Sequence, residues 1–243
     1  MAAWICSILA LDLVVGVALG ASSVDGRHPG QPSGFGATAP LNLAPMGLDP
    51  AADPQACLRA AQAGDPAAQT VLGSMYYLGT GLPQDLGKAA AWYRKAALAG
   101  EAKAQSILGM MCEDGDGVPA DRAEALHWFS LAAGQGDAEA QARLGAMCYL
   151  GLGRPKDLAE AFRWFTLAAA KGETYAQECL GVMYATGEGV PLDVKAACTW
   201  LLKAQAGGSD RAGEILALLE KAHPSTGRQE APGGAKADPA AGK

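Results

Sequence analysis

Four of the five tryptophans in this 243-residue chain stand 36 residues apart, at Trp92, Trp128, Trp164 and Trp200. A fixed period of this size marks an array of small units, none of which can bury a core alone, so neighbours must stack. At that spacing the chain divides without gaps into four copies, 65–100, 101–136, 137–172 and 173–208. Thirteen of the 36 columns are identical in all four copies. In the first copy they are Ala68, Gln69, Leu72, Gly73, Met75, Gly79, Gly81, Pro83, Asp85, Ala89, Trp92, Ala96 and Gly100.

Each copy reads as two helices. From Pro66 to Leu78, the residues Ala68, Leu72 and Met75 recur at helical spacing. Gly79-Thr80-Gly81 then stops the helix, Pro83 prevents its continuation, and Asp85 is placed to cap a second one. Asp121 and Asp157 are each followed three residues on by glutamate, Glu124 and Glu160, a capping-box spacing. Ala89, Trp92 and Ala96 form the inner stripe of the second helix, with tryptophan expected to fill the core and the small residues to let the helices approach. The composition agrees. Aromatics are 6% of the chain against 32 glycines and abundant alanine, which suits close helices better than bulky strands.

The partial copies extend the array. Residues 53–64 match the end of a second helix, and residues 209–222 match a first helix through Ala212 and Leu216, with a polar outer surface suited to a cap. The expected body is therefore 53–222. The tail 223–243 is expected to be disordered, because it holds too few large apolar groups to offset chain entropy. At the other end, Trp4 to Leu19 is mostly apolar and Ala18-Leu19-Gly20 offers a small-residue cleavage pattern, so residues 1–20 read as a secretory signal. Residues 21–52, rich in Gly, Pro, Ser and Ala, read as a flexible lead. The expected address is periplasmic or secreted, with the membrane only an export route; a start at Met46 would instead leave a cytoplasmic protein.

The runs Ala104-Gln105-Ser106-Ile107-Leu108-Gly109, Gly115-Asp116-Gly117-Val118-Pro119 and Ala125-Leu126-His127-Trp128 resemble the Sel-1-like repeat, a relative of the tetratricopeptide repeat. The resemblance covers all four copies. It implies an all-α, right-handed α-solenoid that scaffolds protein complexes, often in bacterial envelopes or signalling assemblies. One departure concerns the tyrosine after the Leu-Gly pair: it is present as Tyr76 and Tyr184, but Cys112 and Cys148 replace it in the inner copies. Some secreted relatives bridge each repeat with a cysteine pair, but the matching columns here, Ala97 and Gln105 for example, lack it. Others have been linked to β-lactam or peptidoglycan recognition, which makes an envelope enzyme or cell-wall binder the alternative reading.

Columns that stay constant serve folding, so columns that vary along one face of the first helix are candidates for recognition. Positions spaced i, i+4, i+7 select Thr70, Ser74 and Tyr77; Ser106, Met110 and Glu113; Ala142, Ala146 and Tyr149; and Glu178, Val182 and Ala185. First helices line the concave side of helical solenoids, so this face is expected to hold a protein or peptide, with Tyr77 and Tyr149 as anchors and Met110 as an adaptable contact.

Other chemistries find little support. A net charge of −6 and a pI near 5.1 argue against nucleic acid. The cysteines show no zinc spacing, and the acidic loop Glu113, Asp114, Asp116 and Asp121 lacks the ligand order of a calcium loop, so neither a metal nor a cofactor is expected. Cys112 and Cys148 occupy equivalent columns too far apart for a disulfide, which leaves Cys179 and Cys198 as the pair to test, although small buried thiols are the expectation there too. His127 has no column-matched nucleophile or carboxylate, so no catalytic residue is assigned.

Overall fold

The computed structural model describes residues 54–223, and within them lie ten α-helices and no strand. In chain order they are α1 Pro54–Gln62, α2 Pro66–Leu78, α3 Leu86–Leu98, α4 Ala102–Asp114, α5 Arg122–Gly134, α6 Ala138–Leu150, α7 Leu158–Ala170, α8 Thr174–Thr186, α9 Val194–Ala206 and α10 Asp210–Ala222. The assigned signal (1–20) and lead (21–52), and all of the assigned tail (223–243) but His223, lie outside the described residues.

The invariant columns explain why the helices start and stop where they do. Gly79, Gly115, Gly151 and Gly187 end the first helices in the left-handed conformation, with φ between 72° and 80°. Two positions later the chain turns back, and the backbone N–H of the invariant aspartate donates to the first helix: Asp85 to the Tyr76 carbonyl, Asp121 to Cys112, Asp157 to Cys148 and Asp193 to Tyr184, at 2.8–2.9 Å. The same aspartates cap the second helices with their side chains. The expected capping boxes form only by half. Glu124 and Glu160 do not reach back to the cap; each accepts a hydrogen bond from the indole of Trp128 or Trp164 instead.

Each helix packs against the one before and the one after it, the pattern of an α-solenoid of antiparallel hairpins. First helices are the more enclosed: α2 buries eight residues and α3 five. Successive first helices also meet directly, as α6 does with α8, so they form the inner wall and the second helices the outer one.

The core plug is not the tryptophan. Trp128 is buried, but Trp92, Trp164 and Trp200 are half-exposed, and the residue after each fills the interior: Tyr93, Phe129, Phe165 and Leu201. Each lies flat on an invariant glycine. A Cβ placed on Gly73, Gly109, Gly145 or Gly181 would stand 2.5–2.9 Å from that side chain. The buried Trp128 and the half-exposed Trp164 donate their indole N–H to Glu124 and Glu160, while Lys95 and Lys203 lie over the rings of Trp92 and Trp200 at the water boundary.

Candidate interaction surface

Most of the face selected from internal variation lies inside the molecule. Thr70, Ser74, Ser106, Tyr149, Glu178 and Val182 are between 0% and 6% exposed, and Ala142, Ala146 and Ala185 are buried beside them. The reason is packing: this face of each first helix is covered by the next repeat or, at Ser74, by the second helix of its own copy. The Thr70 hydroxyl bonds to Glu101, the N-cap of α4, at 3.3 Å. Ser74 accepts from the Tyr93 hydroxyl at 2.9 Å. Tyr149 donates to Glu188 of the following copy. Glu178 accepts from Ser209 at 2.7 Å and pairs with Arg211 at 3.5 Å, fastening α10 to the array. These columns vary because neighbouring copies are fitted to each other. No partner can touch them in the packed array.

Tyr77, Met110 and Glu113 remain partly exposed. The Tyr77 hydroxyl donates to Asp116 at 3.3 Å, and burial together with that carboxylate pushes its pKa up. Around Met110 the structure gathers residues that the column argument missed. Arg143 of α6 pairs with Glu113 of α4 at 3.3 Å and reaches the Met110 sulfur at 3.6 Å. Lys103 pairs with Glu139 at 3.1 Å. Burial outweighs the nearby Arg143 and raises the Glu113 pKa. The charge on Arg143, in a column held by Val71, Ile107 and Cys179 in the other copies, was the available signal, and Lys103 and Glu139 put opposite charges in one column of adjacent copies.

The five described cysteines are free, Cys179 and Cys198 included. Cys112 and Cys148, which replace the family tyrosine, are fully buried, and burial pushes each thiol up to about 11. The Arg94–Glu124 pair lies against Cys112 and the Arg154–Glu160 pair near Cys148, so charged side chains stand where a tyrosine ring would reach. His127 is exposed and edge-on to Trp128. Among the described residues no three metal-donor side chains gather, and no helix is long and apolar enough to cross a membrane.

A stacked array of antiparallel helical hairpins defines a helical-repeat protein of the solenoid class. The Sel1 repeat family matches residues 66–101, 102–137, 138–173 and 174–209, and the chain belongs to that family. Sel1 repeats generally mediate protein–protein interaction and are typically non-enzymatic. Among solved structures, a Sel1 repeat protein from Oxalobacter formigenes is similar at 34% identity and a TM-score of 0.68, with 75% of each chain covered. A protective antigen present in uropathogenic Escherichia coli strains, displaying an SLR fold, is similar at 35% identity and a TM-score of 0.67 over 70% of this chain. The match takes in 36% of that antigen's chain, so this protein spans about a third of it. No match was found among curated proteins.

Proposed function

We propose that the chain is a non-enzymatic adaptor that holds a segment of a partner protein against its first-helix wall where the second and third repeats meet. The observation that carries this reading is the part of the wall left open there: Met110 with the Glu113–Arg143 and Lys103–Glu139 pairs, and Tyr77 one repeat away. A flexible thioether beside an arginine, with an aromatic ring one repeat away, supplies the side-chain types that dominate protein interfaces. The paired charges on either side give a partner something to match in register. Export through residues 1–20 is part of the proposal, supported by the apolar run Trp4 to Leu19 and the Ala18-Leu19-Gly20 pattern.

Partner capture by purified variants tests the surface. Met110→Glu should lower capture of the physiological partner at least tenfold while helicity and melting hold, and His127→Ala on the outer wall should leave it unchanged. Loss of capture in the His127 variant alone would move the site to the second helices. N-terminal sequencing of the mature chain tests export: a first residue of Ala21 is expected, and an intact Met1 contradicts it.

A further inference from the structure

The four copies are not equivalent: several columns alternate with a period of two. The first position reads Asp65, Glu101, Asp137, Glu173. Three others read Tyr77, Glu113, Tyr149, Ala185; Leu78, Asp114, Leu150, Thr186; and Thr80, Asp116, Leu152, Glu188. The second helices open on Leu86, Arg122, Leu158 and Val194. Odd copies therefore carry the tyrosine and a leading leucine, and even copies carry the acid in the loop between their helices.

In the structure these residues meet across the joints between copies. At the first joint Tyr77 donates to Asp116, and at the third Tyr149 donates to Glu188, the same two columns each time. The middle joint has Glu113 and Leu152 in those columns and no such bond; Arg143–Glu113, Lys103–Glu139 and a Lys171 bond to the Gly136 carbonyl cross it, while at the first joint the Arg94–Glu124 pair stands beside the tyrosine bond. The fit of the turns differs in the same sense. The second glycine of each loop lies on the start of the preceding second helix. A Cβ on Gly117 would overlap the Leu86 carbonyl; one on Gly189 would stand 2.8 Å from the Leu158 Cβ and 3.1 Å from its carbonyl, and one on Gly153 3.7 Å from the Arg122 Cβ and 3.2 Å from its carbonyl.

We propose that the solenoid is built from two-repeat units, 65–136 and 137–208, and that the joint between them is a flexural seam at which the inner wall can change its curvature. A hydroxyl bonded to a carboxylate fixes the loop of one copy to the helix of the last at a single point and direction. Ion pairs between long side chains hold the same distance with more freedom, and their desolvation offsets much of their attraction. The seam coincides with the open patch around Met110, so a docking partner would meet the wall where it bends; the seam itself stands on the joints and not on that docking.

Hydrogen exchange of the full chain, read at one amide per loop, tests this. Gly115, Gly151 and Gly187 each donate to the methionine four residues before, so their amides have the same local bond. Gly151 should exchange about tenfold faster than Gly115 and Gly187, because its loop can open with the seam. Fraying from the ends would give the opposite order, with the middle best protected. Tyr77→Phe should speed exchange at Gly115 and Tyr149→Phe at Gly187, each leaving Gly151 unmoved. A Gly151 as protected as the other two, or phenylalanine variants without local effect, would overturn the two-repeat unit.

Discussion

A methyl group added at Gly109 has no room, because the Phe129 ring already lies within 2.8 Å of where it would sit. Gly109→Ala should therefore destabilise the chain by about 1–3 kcal/mol in urea unfolding, the usual range for overpacking. Gly134→Ala, at the open end of α5 with nothing near its Cβ, should be neutral or stabilising by up to about 1 kcal/mol. Equal losses at both sites would mean that backbone freedom matters and ring contact does not. Tyr149, read from sequence as a recognition anchor, should behave as core: Tyr149→Ala should cost about 3–5 kcal/mol. The constant glycine and alanine columns were legible because every copy needs them in the same place. The tryptophan was misplaced by one residue because its constancy was equated with depth. The true plug varies among Tyr, Phe and Leu, which share apolar bulk and differ in shape, so identity alone does not reveal it.

At the scale of helices, the invariant glutamine does work that composition does not show. Gln69, Gln105, Gln141 and Gln177 each donate from Nε2 to a carbonyl in the last turn of the preceding second helix, those of Ala61, Ala97, Ala133 and Ala169, at 3.0–3.3 Å. Replacing Gln141 with leucine removes one of the hydrogen bonds at the Ala133 carbonyl, which also accepts from the Gly136 N–H, and a loss of about 0.5–1.5 kcal/mol is expected on urea titration. The joint between α4 and α6 has a pH signature. The folded-state pKa of Glu113 is raised by burial above its value of 4.5 in the open chain, so the fold favours the protonated carboxyl. That contribution is complete below the unfolded value and is lost as pH rises through the folded one. Glu113→Gln mimics the protonated form, so it should match the wild type in acid and gain on it as pH rises. Thermal melts across pH 4–8 read this directly; a wild type that gains on the variant instead would show that Arg143 dominates. Helix ends were legible in the sequence because caps and stops are local chemistry. The joints were not, since they pair residues 30 to 39 positions apart whose partners are set only by stacking.

Over the whole molecule, the repeats make a continuous wall from units that are individually too small to fold, and the family assignment rests on all four of them. Variation among copies looks like freedom when each is read alone. Once stacked, most of it becomes mutual fit: Thr70 with Glu101, Tyr149 with Glu188, Glu178 with Arg211. What remains open around Met110 is small and lies at the proposed seam, so variation among copies could not by itself separate the exposed quarter of the selected positions, Tyr77, Met110 and Glu113, from the buried rest. The most direct measurement of the docking claim is site-specific photocrosslinking in the native cell, with a photoreactive side chain at Met110 on the inner wall or at His127 on the outer one. The account predicts that the protein captured at position 110 is absent at 127; capture at 127 with nothing at 110 would contradict it.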